Sequence, residues 1–468
     1  MTRRATTIAA GIALALAGCA GGGGGGGSSG GVAATGDPTD AALASALSAS
    51  GVHPVTPAAA DGAALVDLGR ALFFDKVLSG NRNISCATCH SGGAGTGDAL
   101  PVSLGEGASG AAPNRGPAAG HMIARNAQPL FNAGLPGVDT MFWDGRVHRD
   151  PSTGVLSTPE LLLDGSSPGR PKIVAELTSA LAAQAMFPVT TPEEMRGKPG
   201  SNELADAVTN EDVWSRLMAR LVGTGNGATG GIAAYRALFR AAYPSVASLD
   251  DLNFGHAARA IAAFERSAFT SLATPFDRYI ASEVGALTAP QKRGALLFYG
   301  RASCVGCHAG PLLSDFQFHA LAVPQVGPGK FEASEDRGRA LITGLNADTY
   351  RFRTPPLRDV ALTGPWMHDG AFASLEAAVR HHLDPAGGLA RYDAHQLAAP
   401  FAASVDRDGT RNSARASALD LALPTPGPLS DADVRDLVDF LHALTDPGAA
   451  SLATVAPMSA PSGLPVAD

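Results

Sequence analysis

Four of the five cysteines stand in two Cys-x-x-Cys-His units, Cys86-Ala87-Thr88-Cys89-His90 and Cys304-Val305-Gly306-Cys307-His308. This is the spacing of covalent haem attachment: two thiols bond the porphyrin vinyl groups, and the histidine that follows sets its imidazole on the iron. Redox dithiols and zinc knuckles also use Cys-x-x-Cys, but neither requires a histidine directly after the second cysteine in both copies. Two haem c groups are therefore expected, held by Cys86, Cys89, Cys304 and Cys307, with His90 and His308 as iron ligands.

The fifth cysteine has a different setting. Arg3 and Arg4 precede a short apolar run, too short to span a bilayer, that ends in Leu16-Ala17-Gly18-Cys19. This resembles the lipobox of bacterial lipoproteins, in which cleavage before Cys19 and acylation of its thiol tether the mature chain. The expectation is a periplasmic protein, lipid-anchored to a bacterial membrane, with the outer membrane favoured. An exported protein normally uses its cysteines in disulfides, and here none is left over. The net charge of -8 offers no basic stripe for a phosphate backbone, which argues against a nucleic-acid partner. With 468 residues, 45% of them apolar, the chain is long enough for two ordinary domains.

Two stretches mirror one another: Leu68-Gly69-Arg70-Ala71-Leu72-Phe73-Phe74 leads into the first attachment unit, and Arg293-Gly294-Ala295-Leu296-Leu297-Phe298-Tyr299 into the second. Each reads as a helix delivering a haem loop. Asp61 is placed to cap the first, and Thr288-Ala289-Pro290-Gln291 has the form of a capping box before the second. Further helices are expected over 203–222 and 254–269, over Leu375–Leu383, and from Ser430 onward, where Val434, Leu437, Val438 and Leu441 recur at helical spacing. The rest is Gly- and Pro-rich loop without convincing strands. The class is mainly α: two c-type cytochrome domains with long loops, each wrapping one covalent haem. The expected order is a leader over 1–19, a Gly- and Ala-rich flexible linker over 20–60, and an N-terminal peroxidatic haem domain over 61–280. A C-terminal electron-transfer haem domain over 281–447 and a disordered tail over 448–468 follow.

Taken in order, several motifs resemble the bacterial di-haem cytochrome c peroxidases, including their MauG-type relatives. They are Leu68-Gly69-Arg70, the first haem unit, Arg125-Asn126 with Asn132, Phe142-Trp143-Asp144-Gly145-Arg146, the second haem unit, Thr354-Pro355-Pro356-Leu357-Arg358 and His368-Asp369-Gly370. The resemblance implies that the haem on His90 binds and cleaves hydrogen peroxide while the haem on His308 passes electrons to it. It further implies a calcium ion between the domains, bound by the Asn126 side-chain oxygen and the carbonyls of Thr363 and Pro365, and it is compatible with a homodimer. His368 looks like a neighbour of the C-terminal haem, and Trp143 and Trp366 are candidates for moving electrons between the centres.

Three positions depart from the family pattern. Many members close the N-terminal haem with a histidine after a Ser-x-Gly stretch, where this chain has Ser103-Leu104-Gly105-Glu106. Glu106 is no equivalent of a nitrogen ligand, so an open iron is expected, with His121 the nearest substitute. The family's sixth ligand of the C-terminal haem lies fourteen residues after His368, at His382; His381 and Met367 are lesser candidates. Histidine in place of methionine lowers a haem potential. The family's catalytic glutamine and glutamate have no direct counterparts around Met141 and Arg146, which leaves Glu106, Asp144, Glu160 and Glu194 as acid-base candidates. The leading expectation is peroxide reduction with electrons from a small periplasmic cytochrome c or cupredoxin. A MauG-like oxidase acting on aromatic residues of a partner protein and a non-catalytic electron shuttle are the alternatives.

Overall fold

In the computed structural model, residues 37–467 are described apart from 119, 168–171, 226–229, 331–333, 422 and 424. The expected leader and Cys19 lie outside the described residues. The architecture is mostly helical.

The sequence repeat is also a packing repeat. Helix Ala63–Phe74 crosses Phe254–Ala268 at Gly69, where an added Cβ would fall 1.8 Å from the Ala260 carbonyl oxygen. Helix Ala289–Phe298 crosses Asp431–His442 at Gly294, where a Cβ would fall 1.8 Å from the Asp436 carbonyl oxygen. Only glycine permits backbones to approach so closely. Beside the first crossing Phe73 is fully buried against Phe264 and Phe269, with ring centroids 5.1 and 5.7 Å apart. At the second, Phe440 packs on Phe298 at 5.3 Å and Phe276 at 5.4 Å. Each such ring contributes about 1.5–3 kcal/mol by burial.

One core runs from Leu68 to Phe269 in sequence and adds Leu312; a second runs from Phe276 to Leu444 and adds Leu43 and Leu47. A third, smaller cluster joins Leu100, Val102 and Leu104 to Val326, Phe372 and Phe401, so the 100–108 loop packs on residues far along the chain. Thr288 and Gln291 form the expected capping box, with Gln291 Oε1 accepting from Thr288 N at 2.9 Å, and Ser430 with Asp433 forms another. Leu375–Leu383 is helical.

Several expectations are corrected. Asp61 does not cap helix Ala63–Phe74, whose N-cap is Gly62; Asp61 pairs with Arg266 instead. The 203–222 segment becomes helical only at Asn210–Val222, capped by Thr209. Within the expected linker, Pro38–Ala49 is a helix. Leu43 and Leu47, one turn apart, are buried in the second core, and Asp40 pairs with Lys292 at 2.7 Å. Flanking Ala and Ser obscured that two-leucine stripe. The tail is ordered as well: Pro447–Thr454 is a 3₁₀ helix. Arg70 Nε donates to Val455 O at 2.8 Å, and Ser462 Oγ to Asp75 at 2.6 Å. Small residues let this strap pass over Gly92, where a Cβ would lie 2.3 Å from Leu452 O. Short strands also occur. Thr140–Met141 pairs with Val147–Arg149, which places Phe142 to Arg146 in the intervening turn, and Phe318–His319 pairs with Phe352–Arg353.

Candidate functional site: two haem cavities

The short helix Cys86–Cys89 is closed at its start by reciprocal Ser85 and Thr88 contacts. It carries Cys86, Cys89 and His90 to the wall of one cavity. Cys304, Cys307 and His308 line a second. Both histidines are oriented alike. His90 Nδ1 lies 3.1 Å from Thr96 O, and His308 Nδ1 lies 2.9 Å from Leu313 O. A carbonyl can only accept, so each Nδ1 carries the proton and each Nε2 lone pair is left for a metal, the orientation that outer partners impose on ligating histidines. Burial pushes His308 down to about 4 and lowers His90, so both rings are neutral and ready to ligate. Burial also pushes the Cys86 and Cys304 thiols up to about 12. Apolar walls, paired cysteines and an oriented imidazole in each cavity fit two haem c groups.

The two cavities differ on their remaining walls. In the cavity of His308, His382 and Met367 are both lining residues. His382 Nδ1 donates to Ala378 O one turn back at 2.8 Å, leaving Nε2 free. The residue keeps exposed surface, and enclosure by protein lowers its pKa. His382 and His308 line the same cavity. His381 points away: its Nε2 lies 2.8 Å from Leu321 O, its ring packs 4.8 Å from Phe372, and it does not line the cavity. His368 lines this cavity with its ring stacked on Phe352 at 3.4 Å, and burial pushes it down to about 3. Asn126, Thr363 and Pro365 also line it.

In the cavity of His90, no second histidine is a lining residue among the described residues. Glu194 lines it, together with Gln184, Arg146 and Lys330. Lys330 Nζ approaches Glu194 Oε1 to 4.0 Å, and burial lowers the lysine's pKa. Glu194 sits on the single helical turn Pro192–Arg196, and Gln184 ends the short helix Ala180–Gln184.

Of the four acid-base candidates only Glu194 reaches this cavity. Glu106 is held outside it, accepting from Asn81 Nδ2 at 2.6 Å and Asn83 Nδ2 at 3.0 Å. His121 is also outside, its Nδ1 donating to Glu106 O at 2.7 Å. Asp144 is fully buried between Arg125 at 2.6 Å and Arg146 at 3.1 Å, which hold its carboxyl well below the usual range and fix it as a structural ion pair. Glu160 accepts from Asn210 Nδ2 at 2.6 Å, away from both cavities. Gln184, which follows the buried residues Ala180 to Ala183, carries no local sequence signal of its place in the cavity.

The cavities share a wall. Trp143, Arg353 and Pro356 line both, and Trp143 Nε1 donates to Asn126 O at 3.0 Å. Trp366 lines only the cavity of His308.

The family model described as di-haem cytochrome c peroxidase matches residues 63–285. The chain is 30% identical over 333 residues to the methylamine utilization protein MauG of Methylorubrum extorquens, covering 71% of this chain and 70% of that protein. It is also 30% identical over 313 residues to the cytochrome c551 peroxidase of Pseudomonas aeruginosa, covering 67% and 70%. Among solved structures, a MauG-like protein associated with microbial copper homeostasis superposes with a TM-score of 0.55 at 25% identity, covering 85% of this chain and 94% of that one. The diheme peroxidase BthA of Burkholderia thailandensis shares the fold, with a TM-score of 0.53 at 21% identity over 88% and 95% of the two chains. The chain belongs to the di-haem cytochrome c peroxidase family and is an oxidoreductase of the cytochrome c peroxidase type. No described helix is long and apolar enough to cross a membrane.

Proposed function

We propose that this protein reduces hydrogen peroxide to water in the periplasm, with electrons from a small cytochrome c or cupredoxin, and meets peroxide in its resting oxidised state. The observation that carries this reading is the unlike lining of the two cavities: Glu194 and Gln184 face His90, whereas His382 and Met367 face His308. Haem iron supplies the binding and cleavage of the O–O bond on one side and electron relay on the other. Glu194 takes the first peroxide proton on its carboxylate and returns it to the leaving oxygen. The Gln184 amide orients the bound oxygens, and the Lys330 ammonium steadies the Glu194 charge between those two steps. The Nε2 of His382 would hold the C-terminal haem iron opposite His308, and an imidazole there would disfavour reduction relative to a methionine.

The same reading assigns residues 61–280 and 281–447 to the two haem units. It keeps Asn126, Thr363 and Pro365 as an all-oxygen calcium site, and all three border one cavity. Their donors are neutral, which suits a weakly held ion completed by water. Acylation at Cys19 would tether the protein to a membrane.

A second reading, peroxide-driven oxidation of a partner protein, is favoured by the similarity to MauG and by histidine rather than methionine as the better-placed sixth ligand. Mixing diferric protein with peroxide and then with reduced cytochrome c separates them. Rapid cytochrome oxidation is expected for the peroxidase; a long-lived oxidised state that ignores the cytochrome indicates the protein-modifying oxidase. No optical response to peroxide would overturn both in favour of an electron shuttle.

A further inference from the structure

Arg353 closes the short strand Phe352–Arg353 and is 2% exposed. Its backbone N–H donates to Trp143 O at 2.8 Å, fixing it to the turn that carries Trp143. Its guanidinium donates from Nε to Phe142 O at 3.2 Å and from Nη1 to Thr354 O at 3.3 Å. Those two carbonyls leave most of its five N–H donors unused, and among the described residues no carboxylate lies within ion-pair distance.

Among the described residues four other arginines are buried: Arg115 spreads its donors over the carbonyls of Leu104, Gly105, Ala108 and Gly110, and the remaining three meet carboxylates. Arg125 meets Asp144 and Asp336, Arg358 meets Asp277, and Arg415 meets Asp406 at 2.9 Å. The two carboxyl groups that line the cavity of His90 with Arg353 do not serve it: Glu194 is turned to Lys330, and burial pushes Glu265 up to about 8, which favours its neutral acid. A buried cation with no counter-charge is strongly disfavoured, whereas a bidentate carboxylate would satisfy it. Arg353 lines both cavities. Each haem c brings two propionate carboxylates.

We infer that Arg353 is the counter-ion of haem propionate at the wall the two cavities share. The inference rests on the two-haem reading and adds a cofactor-holding residue to it. A fixed positive charge at that wall favours the electron-richer ferrous state of each haem. It therefore raises both potentials together and leaves the difference between them largely untouched. The planar fork of arginine holds a carboxylate in one orientation; lysine supplies the charge without the fork.

The test uses the full-length holoprotein with Arg353→Gln and Arg353→Lys. Intact mass first counts haems; a parent protein without two haems would overturn the two-haem reading and this inference with it. With both haems present, optical reductive titration should show Arg353→Gln lowering the reduction equilibrium constant by about tenfold, the size of one nearby charge. Arg353→Lys should stay within about twofold of the parent. The propionate-bending bands in resonance Raman spectra should shift in both variants. Should Arg353→Gln fail to fold, the Lys variant decides by the same bands. Unmoved propionate bands, or haem-loaded Arg353→Gln with unchanged potentials, would overturn the assignment.

Discussion

His90 and His308 are prepared in the same way, each by a carbonyl a few residues downstream, yet their cavities diverge beyond that point. Around His308 the chain adds His319, His368, His382 and Met367; around His90 it adds Glu194, Glu265, Gln184, Arg146 and Lys330. Duplicating an attachment unit therefore does not duplicate a chemistry. In the proposed reading the attachment unit holds the haem and its first ligand, and residues from unrelated segments set which cavity relays electrons and which meets peroxide. Helix Leu375–Leu383 brings His382, while the turn Pro192–Arg196 brings Glu194.

The sharpest way to break this contrast is Glu194→Gln. If Glu194 moves the peroxide proton, stopped-flow mixing of diferric protein with peroxide should slow by about 10²–10⁴-fold, with both haems retained. An unchanged rate would remove the distinction between the cavities. His382→Ala should act on the other side only: the low-spin ferric signal of one haem converts to high-spin, while the first encounter with peroxide keeps its rate. Retention of the low-spin signal would point to Met367 as the ligand.

The packing repeat gives a matched pair of smaller effects. Gly69→Ala and Gly294→Ala would each press a methyl into a backbone oxygen. Each should cost about 1–3 kcal/mol in denaturant unfolding. Alanine is by itself the better helix former by about 1 kcal/mol, so a gain in stability at either site would show that its crossing is not close.

A pH effect concerns Glu265, which lines only the cavity of His90. Its acid is raised by burial from 4.5 to about 8, so the folded state holds the proton more tightly than the unfolded chain. The stability this confers is complete below about pH 4.5 and is lost as pH rises through about 8, by about 1 kcal/mol per pH unit in between. Glu265→Gln should flatten that part of the stability profile, measured by thermal unfolding of the holoprotein across pH. A profile as steep as the parent's would refute the raised acid.

The attachment units, the crossing helices and the helix carrying His382 are legible in the sequence because each depends on local spacing. Gly69 and Gly294 occupy equivalent positions in a visible repeat, and Ser430 and Asp433 announce their own helix. Glu194 and Gln184 are not legible in this way. They reach the cavity only because the chain between Arg146 and Arg196 folds back over His90, and nothing within three or four residues of either reports that return. The ion-pair network of Asp144 is only half legible for the same reason: its partner Arg125 is near in sequence, but Asp336, which completes the buried network through Arg125, is not. The helix Pro38–Ala49 and the strap beyond Pro447 were hidden by composition. Both are dominated by Ala, Ser and Gly or Pro, and both are ordered by a few polar anchors on distant partners.

Low-temperature electron paramagnetic resonance of the resting, fully oxidised protein tests the unlike cavities most directly. One high-spin and one low-spin ferric signal, in equal amounts, is the predicted result. Two low-spin signals and no high-spin iron would mean that the haem on His90 is closed as well, and would contradict the account.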